Sequence, residues 1–283
     1  MTRWVVLGAQ GMLGTDLVQL LLAHGHKVAA IGRAGCDVTM PGSVRAAVTG
    51  ADVVVNCAAY TKVDDAENDE ATAMAINGVG AGTVAAESRR AGARLVHLST
   101  DYVFAGDATT PYDEDAPTSP RTVHGATKLA GERAVLQAHP HESWIVRTAW
   151  LYGAGGPNFV ATMRRLEATR DTVDVVDDQH GQPTWTIDLA AQIEALAASD
   201  APPGIYHGTS SGETTWHGLA RAVFGLAGAD PDRVHRTSSA SFVGPAPRRS
   251  YSVLGHTHWT DAGLAPMRDW REALEAAWPV MYG

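Results

Sequence analysis

Short apolar runs alternate with longer helical patterns through the first half of this 283-residue chain, and the alternation limits the folds it can adopt. The apolar runs predict strands at Trp4–Leu7, Lys27–Ile31, Val53–Asn56, Leu95–Ser99 and Trp144–Thr148. The segments between them predict helices at Gly11–His24, Ser43–Val48, Gly78–Ala91 and Lys128–Ala138. Almost continuously apolar strands are typical of parallel sheets, whose strands are joined by crossover helices. The order therefore predicts an α/β fold with a doubly wound parallel sheet.

A glycine-rich segment joins the first predicted strand to the first predicted helix. Glycines at this point permit a tight turn, let the backbone approach a pyrophosphate and let the helix pack closely on the strand. The positive end of the helix then favours the phosphates. The alternative is a purely structural glycine turn. We interpret the segment as the dinucleotide site of a Rossmann-type sheet, formed by Gly8, Gln10, Gly11, Met12, Leu13 and Gly14.

The end of the second predicted strand bears on the choice of cofactor. An acidic residue there would hold the ribose 2′-hydroxyl of NADH, whereas Arg33 suits the 2′-phosphate of NADPH. NADPH is therefore the favoured cofactor and NADH stays an alternative, as does a solvated role for Arg33. After the third predicted strand, the small residues Ala58 and Ala59 leave room for the cofactor ribose, next to Tyr60.

The hydrophobic pattern becomes looser after about residue 150. It predicts strands at Val173–Val176, Gly204–His207 and Arg233–Thr237. It predicts helices at Asn158–Ala168, Ile187–Ala198, Trp216–Leu226 and Arg268–Trp278. We expect residues 1–150 to form mainly an NAD(P)-binding domain and residues 151–283 mainly a smaller C-terminal substrate-binding lobe. Some chain is expected to be exchanged between the two.

The composition argues against two classes of partner. Lys and Arg number 22 against 31 Asp and Glu, a formal net charge of −9, whereas nucleic acids and anionic membranes attract basic surfaces. The sequence contains no apolar run of membrane-spanning length and no secretory leader at its start. With only Cys36 and Cys57 as cysteines, reduced thiols and a cytoplasmic location are expected.

Several long motifs carry a resemblance to a known family. They include Asn56–Glu67, Ser99-Thr-Asp-Tyr-Val-Phe104, Gly125–Glu132, Arg147–Gly153 and Asp178-Gln-His-Gly-Gln-Pro-Thr184. Together they resemble the dTDP-4-dehydrorhamnose reductase family of the extended short-chain dehydrogenases/reductases. The resemblance runs almost end to end and implies reduction of the C4 ketone of a dTDP-4-keto-6-deoxyhexose by NAD(P)H. The product would be dTDP-L-rhamnose or a related deoxysugar of secondary metabolism.

The resemblance also implies roles for individual residues. Thr100 would hydrogen-bond the substrate oxygen, and Lys128 would hold the nicotinamide ribose and tune the proton donor. Asp37, Val38 and Asn77 would join the cofactor site. The substrate would meet Thr100, Asp101, Tyr102, Trp150, Asn158, Gln182 and Arg248. A homodimer is common for such folds.

One residue departs from the family pattern. The family's helix carries Tyr-x-x-x-Lys, with the tyrosine as proton donor, and this chain has His124-x-x-x-Lys128. Histidine can act as a general acid, but a neighbouring lysine cation disfavours its charged form. Three interpretations stay open. His124 is the acid, another group such as Tyr102, Thr100 or water donates the proton, or the protein is a non-catalytic NADP-binding regulatory homologue.

Other chemistry has weaker support. The pairs His24/His26, His139/His141 and His256/His258 lack zinc-site spacing, so we interpret them as solvated and assign no metal site. The acidic run 113–115 is interpreted in the same way, as a solvated loop rather than a cation site. Trp185 and Trp216 could stack on a sugar or base, although a lone tryptophan more often packs in a core.

Overall fold

The computed structural model describes residues 1–241, 244–247 and 249–283. Its strands are β1 (Arg3–Leu7), β2 (Lys27–Ile31), β3 (Val53–Asn56), β4 (Arg94–Thr100), β5 (Ser143–Thr148), β6 (Leu151–Tyr152), β7 (Val173–Val176), β8 (His180–Gly181), β9 (Thr184–Trp185), β10 (Gly204–His207), β11 (Thr214–Thr215) and β12 (Val234–Thr237). Its α-helices are α1 (Met12–Ala23), α2 (Pro41–Val48), α3 (Val63–Ala66), α4 (Glu70–Met74), α5 (Ala81–Ala91), α6 (Val123–Ala138), α7 (Phe159–Glu167), α8 (Thr186–Ala198), α9 (Trp216–Leu226), α10 (Thr257–Asp261) and α11 (Trp270–Tyr282).

A six-stranded sheet forms the centre of the molecule, in the order β10-β5-β4-β3-β1-β2, and all of its strands are parallel. The predicted doubly wound parallel sheet is therefore confirmed. From β1 the chain turns to β2 on one side, and it then returns to β3 on the other side. In sheets of this kind the strand order reverses at such a point, and ligands bind in the crevice beyond its carboxyl ends. The crevice here follows β1 and β3.

The second half of the chain contributes to this sheet as well. β10 pairs with β5 and extends the sheet, and α8 packs in the same hydrophobic cluster as α1. Elsewhere β7 and β12 form a separate parallel pair that packs with α7, α9 and α11 in another cluster. The division into two domains stays a prediction. No helix in the described part of the chain is long and apolar enough to cross a membrane.

Helical structure begins earlier than the sequence predicted in two places. α6 begins at Val123, ahead of the predicted Lys128, because the Thr122 side chain accepts a hydrogen bond from the Gly125 N–H and caps the helix. The second place is the helix that was predicted to begin at Gly78. There α4 comes first, and a π-helical turn, Ala75–Gly80, joins α4 to α5. The π-turn contains Asn77, and such turns are frequent at functional sites.

The predicted final helix, Arg268–Trp278, is displaced toward the C-terminus. α11 begins at Trp270 because Asp269 caps it, with the Arg271 N–H as donor. Its last turns extend past Pro279, so the proline does not end the helix. A proline at this point removes a helical hydrogen bond, and Met281 in the turn after it packs against the same hydrophobic cluster as Ala273, Leu274 and Ala277.

A buried ion pair ties α6 to the sheet. Arg147 on β5 donates from Nε and Nη2 to the two carboxylate oxygens of Glu132 on α6, at 2.9 and 2.8 Å. Ser99 on β4 donates to the same carboxylate at 2.5 Å. Both ionic side chains are 2% exposed. Two-point geometry and an added hydrogen bond offset the cost of removing these charges from water.

We predict that Glu132→Ala lowers the free energy of unfolding by about 3–5 kcal/mol, because it leaves the buried Arg147 charge unpaired. Urea unfolding followed by circular dichroism measures the change. The matched control is Glu142→Ala, which removes a half-exposed carboxylate paired with Arg94 and should cost less than about 1 kcal/mol. Equal losses in the two variants would contradict this account of α6.

Candidate functional site

The turn after β1 brings two backbone segments unusually close. Gly8 has a φ of +76°, and a Cβ there would lie 2.7 Å from the amide nitrogen of Ala58. A Cβ at Gly14 would collide with the Gly8 carbonyl, so this glycine lets α1 pack directly on the turn. Only glycine fits these two positions. The turn therefore leaves bare backbone and the start of α1 facing the crevice, as phosphate binding requires.

A cleft of about 810 Å³ lies over this turn. Its lining includes Gly8, Gln10, Gly11, Arg33, Asp37, Val38, Ala58 and Ala59 from the sequence prediction. Leu13 lies in the hydrophobic core. Met12 lies beside Gly155 and Gly156. The volume, the glycine turn and the helix start fit a dinucleotide, and in that complex Leu13 could contribute only backbone.

One end of the cleft carries two opposite charges, those of Asp37 and Arg33. Thr39 donates from its N–H and its hydroxyl to Asp37 Oδ1, at 2.9 and 2.7 Å. These hydrogen bonds, with a smaller contribution from the Arg33 charge, lower the pKa of Asp37. Asp37 is therefore ionised at neutral pH, and Arg33 beside it remains an exposed cation. Thr39 was missed in the sequence, although an Asp two residues before a Thr is a signal for this local turn.

Asn77 connects the π-turn to the segment after β3. It accepts from the Tyr60 N–H at 2.8 Å and donates to the Tyr60 carbonyl at 3.1 Å and the Thr127 hydroxyl at 3.2 Å. A Cβ at Gly131 would collide with the Asn77 carbonyl, so α6 packs directly against the π-turn. Asn77 thus holds Tyr60 in place between the cleft and α6.

Lys128 lies beneath the end of β4. It is 3% exposed, and its Nζ donates to the Leu98 carbonyl at 2.6 Å. Burial lowers its pKa to about 8, against an opposing effect of the Glu132 carboxylate. The same burial raises the pKa of the neighbouring Cys57 thiol to about 12, which keeps this cysteine protonated. At neutral pH the lysine is therefore mostly a cation.

His124 lies on the first turn of α6, one turn before Lys128. Its Nδ1 is 3.1 Å from the Tyr60 carbonyl, and because a carbonyl only accepts, Nδ1 carries the proton. Burial, and then the Lys128 charge, lower the His124 pKa to about 4. The ring is therefore neutral at pH 7, and its Nε2 is a hydrogen-bond acceptor without a proton to give.

The residues after β4 form a compact polar group. The Thr100 hydroxyl donates to Asp101 at 3.0 Å and accepts from the Tyr102 N–H at 3.2 Å. Arg249 pairs with Asp101 at 2.8 Å, and its guanidinium carbon lies 3.5 Å from the centre of the Tyr102 ring. The Tyr102 ring meets the His124 ring edge to face, with centres 5.5 Å apart.

A second pocket, of about 360 Å³, adjoins Tyr102 and Arg249. Trp150 and Trp216 stack on one wall, with ring centres 3.5 Å apart and planes 8° apart. Trp150 has a φ of +47°, a left-handed conformation that is costly for a bulky residue and tends to occur at functional sites. The apolar walls and the guanidinium suit a ligand with both a flat ring and negative charge. Trp185, in contrast, packs in the core.

Two of the expected substrate residues use their side chains inside the protein. Asn158 caps α7 through the Ala161 N–H and donates to the carbonyls of Gly153 and Gly156. Gln182 is 2% exposed and hydrogen-bonds Leu254 and Thr209. Arg248 lies outside the described residues. The next residue, Arg249, lines the second pocket and pairs with Asp101, which is far away in the chain.

The structure gives no support for a metal centre among residues 1–241, 244–247 and 249–283, where no group of three acidic, His or Cys side chains could hold a metal ion. The interpretation of the histidine pairs as solvated is wrong for His139. This residue is 6% exposed and hydrogen-bonds the Ala93 carbonyl through Nε2 at 2.9 Å. It connects the end of α6 to the segment before β4, a structural role that its flanking residues did not reveal.

Comparisons with known proteins agree with this arrangement. Residues 2–282 match the family model described as the RmlD substrate binding domain. A dTDP-4-dehydrorhamnose reductase of Streptomyces griseus is 56% identical over 287 residues, covering 99% of this chain and 94% of the relative. A dTDP-4-keto-6-deoxy-D-glucose reductase of Streptomyces niveus is 53% identical, covering 99% of this chain and 97% of the relative.

One solved structure is informative about the cofactor. It is a dTDP-4-dehydrorhamnose reductase from Bacillus anthracis str. Ames in complex with NADP. The two chains superpose with a TM-score of 0.94 at 37% identity, and the alignment covers 99% of each. At this similarity the folds correspond along their whole length.

We predict that the His124 ring stays neutral down to mildly acidic pH and becomes charged only as the pH falls through about 4. Nitrogen NMR of ¹⁵N-histidine-labelled protein, assigned with His124→Asn, measures both the midpoint and the protonated nitrogen. A midpoint above about 6, near the ordinary histidine value, or a proton on Nε2 at pH 7 would contradict the geometry.

Proposed function

Because the chain belongs to the RmlD substrate binding domain family, we propose that it reduces the C4 ketone of a dTDP-4-keto-6-deoxyhexose with NADPH. The position of His124 supports this most strongly. Its Nδ1 contacts Tyr60, whose neighbours Ala59 and Thr61 line the dinucleotide cleft. Its ring contacts Tyr102, which lines the second pocket. A cofactor in the cleft and a sugar in the pocket would therefore meet at the end of β4.

The chemistry needs few protein groups. NADPH, when bound in the cleft, supplies a hydride to the ketone carbon. The resulting alkoxide needs a hydrogen-bond donor and then a proton. Lys128 places a cation beneath the reacting centre, and the roles that the family implies are ribose binding for Lys128 and ketone orientation for Thr100. The relatives' names support a dTDP-deoxysugar as the product, and the family resemblance implies dTDP-L-rhamnose or a related deoxysugar.

The second pocket suits the nucleotide-sugar part of this substrate. The stacked Trp150 and Trp216 offer a flat apolar face for a base or a sugar ring. Arg249 offers a guanidinium for a diphosphate, through two-point hydrogen bonds. A homodimer, a cytoplasmic location and the lack of a nucleic-acid partner stay predictions from the sequence.

One observation favours a second candidate function, a non-catalytic NADP-binding homologue. Neutral His124 has its single ring proton on Nδ1, so it cannot serve as the family's tyrosine does. The retained hydroxyl–lysine pair, Thr100 and Lys128, speaks for catalysis. A turnover assay separates the two functions.

We predict that the native protein oxidises NADPH, followed at 340 nm, in the presence of dTDP-4-dehydrorhamnose or a related dTDP-4-ketosugar. His124→Tyr, which restores the family motif, should at least equal the native rate. Glucose and UDP-glucose, which lack the C4 ketone, serve as substrate controls. Turnover only in His124→Tyr would support the second candidate function, a non-catalytic homologue. No turnover by either protein would refute the substrate class.

Arg33→Ala should raise the KM for NADPH by about 10- to 100-fold, because a hydrogen bond to a charged group contributes about 1.5–3 kcal/mol. The KM for NADH should change by less than about twofold, since NADH has no 2′-phosphate for Arg33 to bind. Arg90→Ala, an exposed arginine on α5, is the matched control. Equal effects on the two cofactors would show that Arg33 does not read the 2′-phosphate.

A further inference from the structure

We propose that the Tyr102 hydroxyl is the proton donor in this chain and that His124 is a positioning residue. The assignment rests on the proposed reductase function and deepens it. Hydride addition leaves an alkoxide on C4. The O–H bond of Tyr102 breaks, a new O–H bond forms on the sugar oxygen, and the phenolate then regains a proton from solvent.

His124, which stands where the family has its tyrosine, has no proton available to donate to the substrate. The only proton on the neutral His124 ring points at the Tyr60 carbonyl, 3.1 Å from Nδ1. Giving up that proton would break a buried hydrogen bond and leave the ring an anion. Nε2 can accept a hydrogen bond, and through it His124 can orient a neighbouring hydroxyl group.

Two other candidate proton donors, Thr100 and Lys128, are already hydrogen-bonded within the protein. The single hydroxyl proton of Thr100 is held by the Asp101 carboxylate at 3.0 Å. Lys128 is buried with its Nζ on the Leu98 carbonyl, beneath β4. Neither side chain lines the second pocket, and neither does His124, whereas Tyr102 does.

Tyr102 has a free hydroxyl in the right region. No hydrogen-bond partner for this hydroxyl occurs in the described part of the chain, although the Tyr102 N–H is held by Thr100. The ring lies edge to face with His124, 5.5 Å between centres, so it borders the place where the family motif has its phenol. A Cβ at Gly125 would collide with the Tyr102 carbonyl, and this glycine therefore lets α6 bring His124 so close.

A cation stacked on the ring holds the Tyr102 side chain in place. The Arg249 guanidinium lies 3.5 Å above the Tyr102 ring centre and is 8% exposed. A cation over the face of a tyrosine ring is attracted to the ring, so this contact fixes the position of the phenol at the pocket. Asp101 fixes the guanidinium through its 2.8 Å ion pair. Among the described residues, the charged or titratable groups in contact with Tyr102 or beside it are Arg249, Asp101 and His124, and Asp174 lines the same pocket.

The experiment compares single-turnover reduction by the native protein, Tyr102→Phe and His124→Asn. Tyr102→Phe should lower the rate about 100-fold or more, the usual contribution of a general acid. His124→Asn keeps a donor for the Tyr60 carbonyl but no titratable ring, and it should lower the rate less than tenfold. Tyr282→Phe, on the remote helix α11, is the matched control for loss of one phenol. NADPH fluorescence checks that each variant still binds cofactor.

A second measurement uses a substitution that keeps the tyrosine ring, so that the variant retains the native packing. Replacement of Tyr102 by 3-fluorotyrosine keeps the ring and lowers the phenol pKa, so the fall of the rate at high pH should shift to lower pH. The same replacement at Tyr282 should leave the profile in place. An unmoved profile at Tyr102, or a Tyr102→Phe protein with the native rate, would overturn the assignment while the reductase function stood. No turnover by the native protein would overturn both.

Discussion

The buried ion pair between Glu132 and Arg147 is the interaction on which the placement of the proposed reacting groups depends. Charges are tolerated inside a protein only when they are paired and fully hydrogen-bonded, and Ser99 completes this pair. The pair joins α6 to both β4 and β5. Because Lys128 lies one turn before Glu132, and His124 one turn before Lys128, a helix fixed at Glu132 fixes all three in relation to the sheet. The Glu132 carboxylate also favours the lysine cation that burial disfavours.

The same close packing determines what a histidine at position 124 can do. Gly125 and Gly131 remove side chains where α6 meets the Tyr102 carbonyl and the Asn77 carbonyl, and the helix approaches both segments. The His124 side chain is consequently buried, and the Lys128 cation lies one turn away. Both conditions disfavour an imidazolium and favour a neutral ring. A phenol tolerates these conditions because it is neutral before it donates, so the acid function passes more readily to the adjacent Tyr102 than to the histidine itself.

The sequence predicted the central sheet well because its signals are local. β1 to β5 are predominantly apolar runs, and each was placed within one residue at either end. The glycine turn after β1 is equally local. The π-turn at Asn77 and the early start of α6 depend on contacts with other segments, and they were missed. The meeting of Asp101 with Arg249 depends on the chain folding back, and spacing in the sequence contains no trace of it.

The expected substrate-binding residues differ in whether their side chains already have hydrogen-bond partners within the protein. Asn158 and Gln182 were both expected to meet the substrate, yet their side-chain donors are already bonded to carbonyls of this chain. A ligand could recruit them only by breaking buried hydrogen bonds, at a cost close to what it would gain. Arg249 differs, since its Nη1 is buried without a partner in the described residues, beside the free Tyr102 hydroxyl. An unpaired buried donor is expensive unless a ligand completes it. These two groups therefore mark where a charged, oxygen-rich substrate would stabilise the protein most.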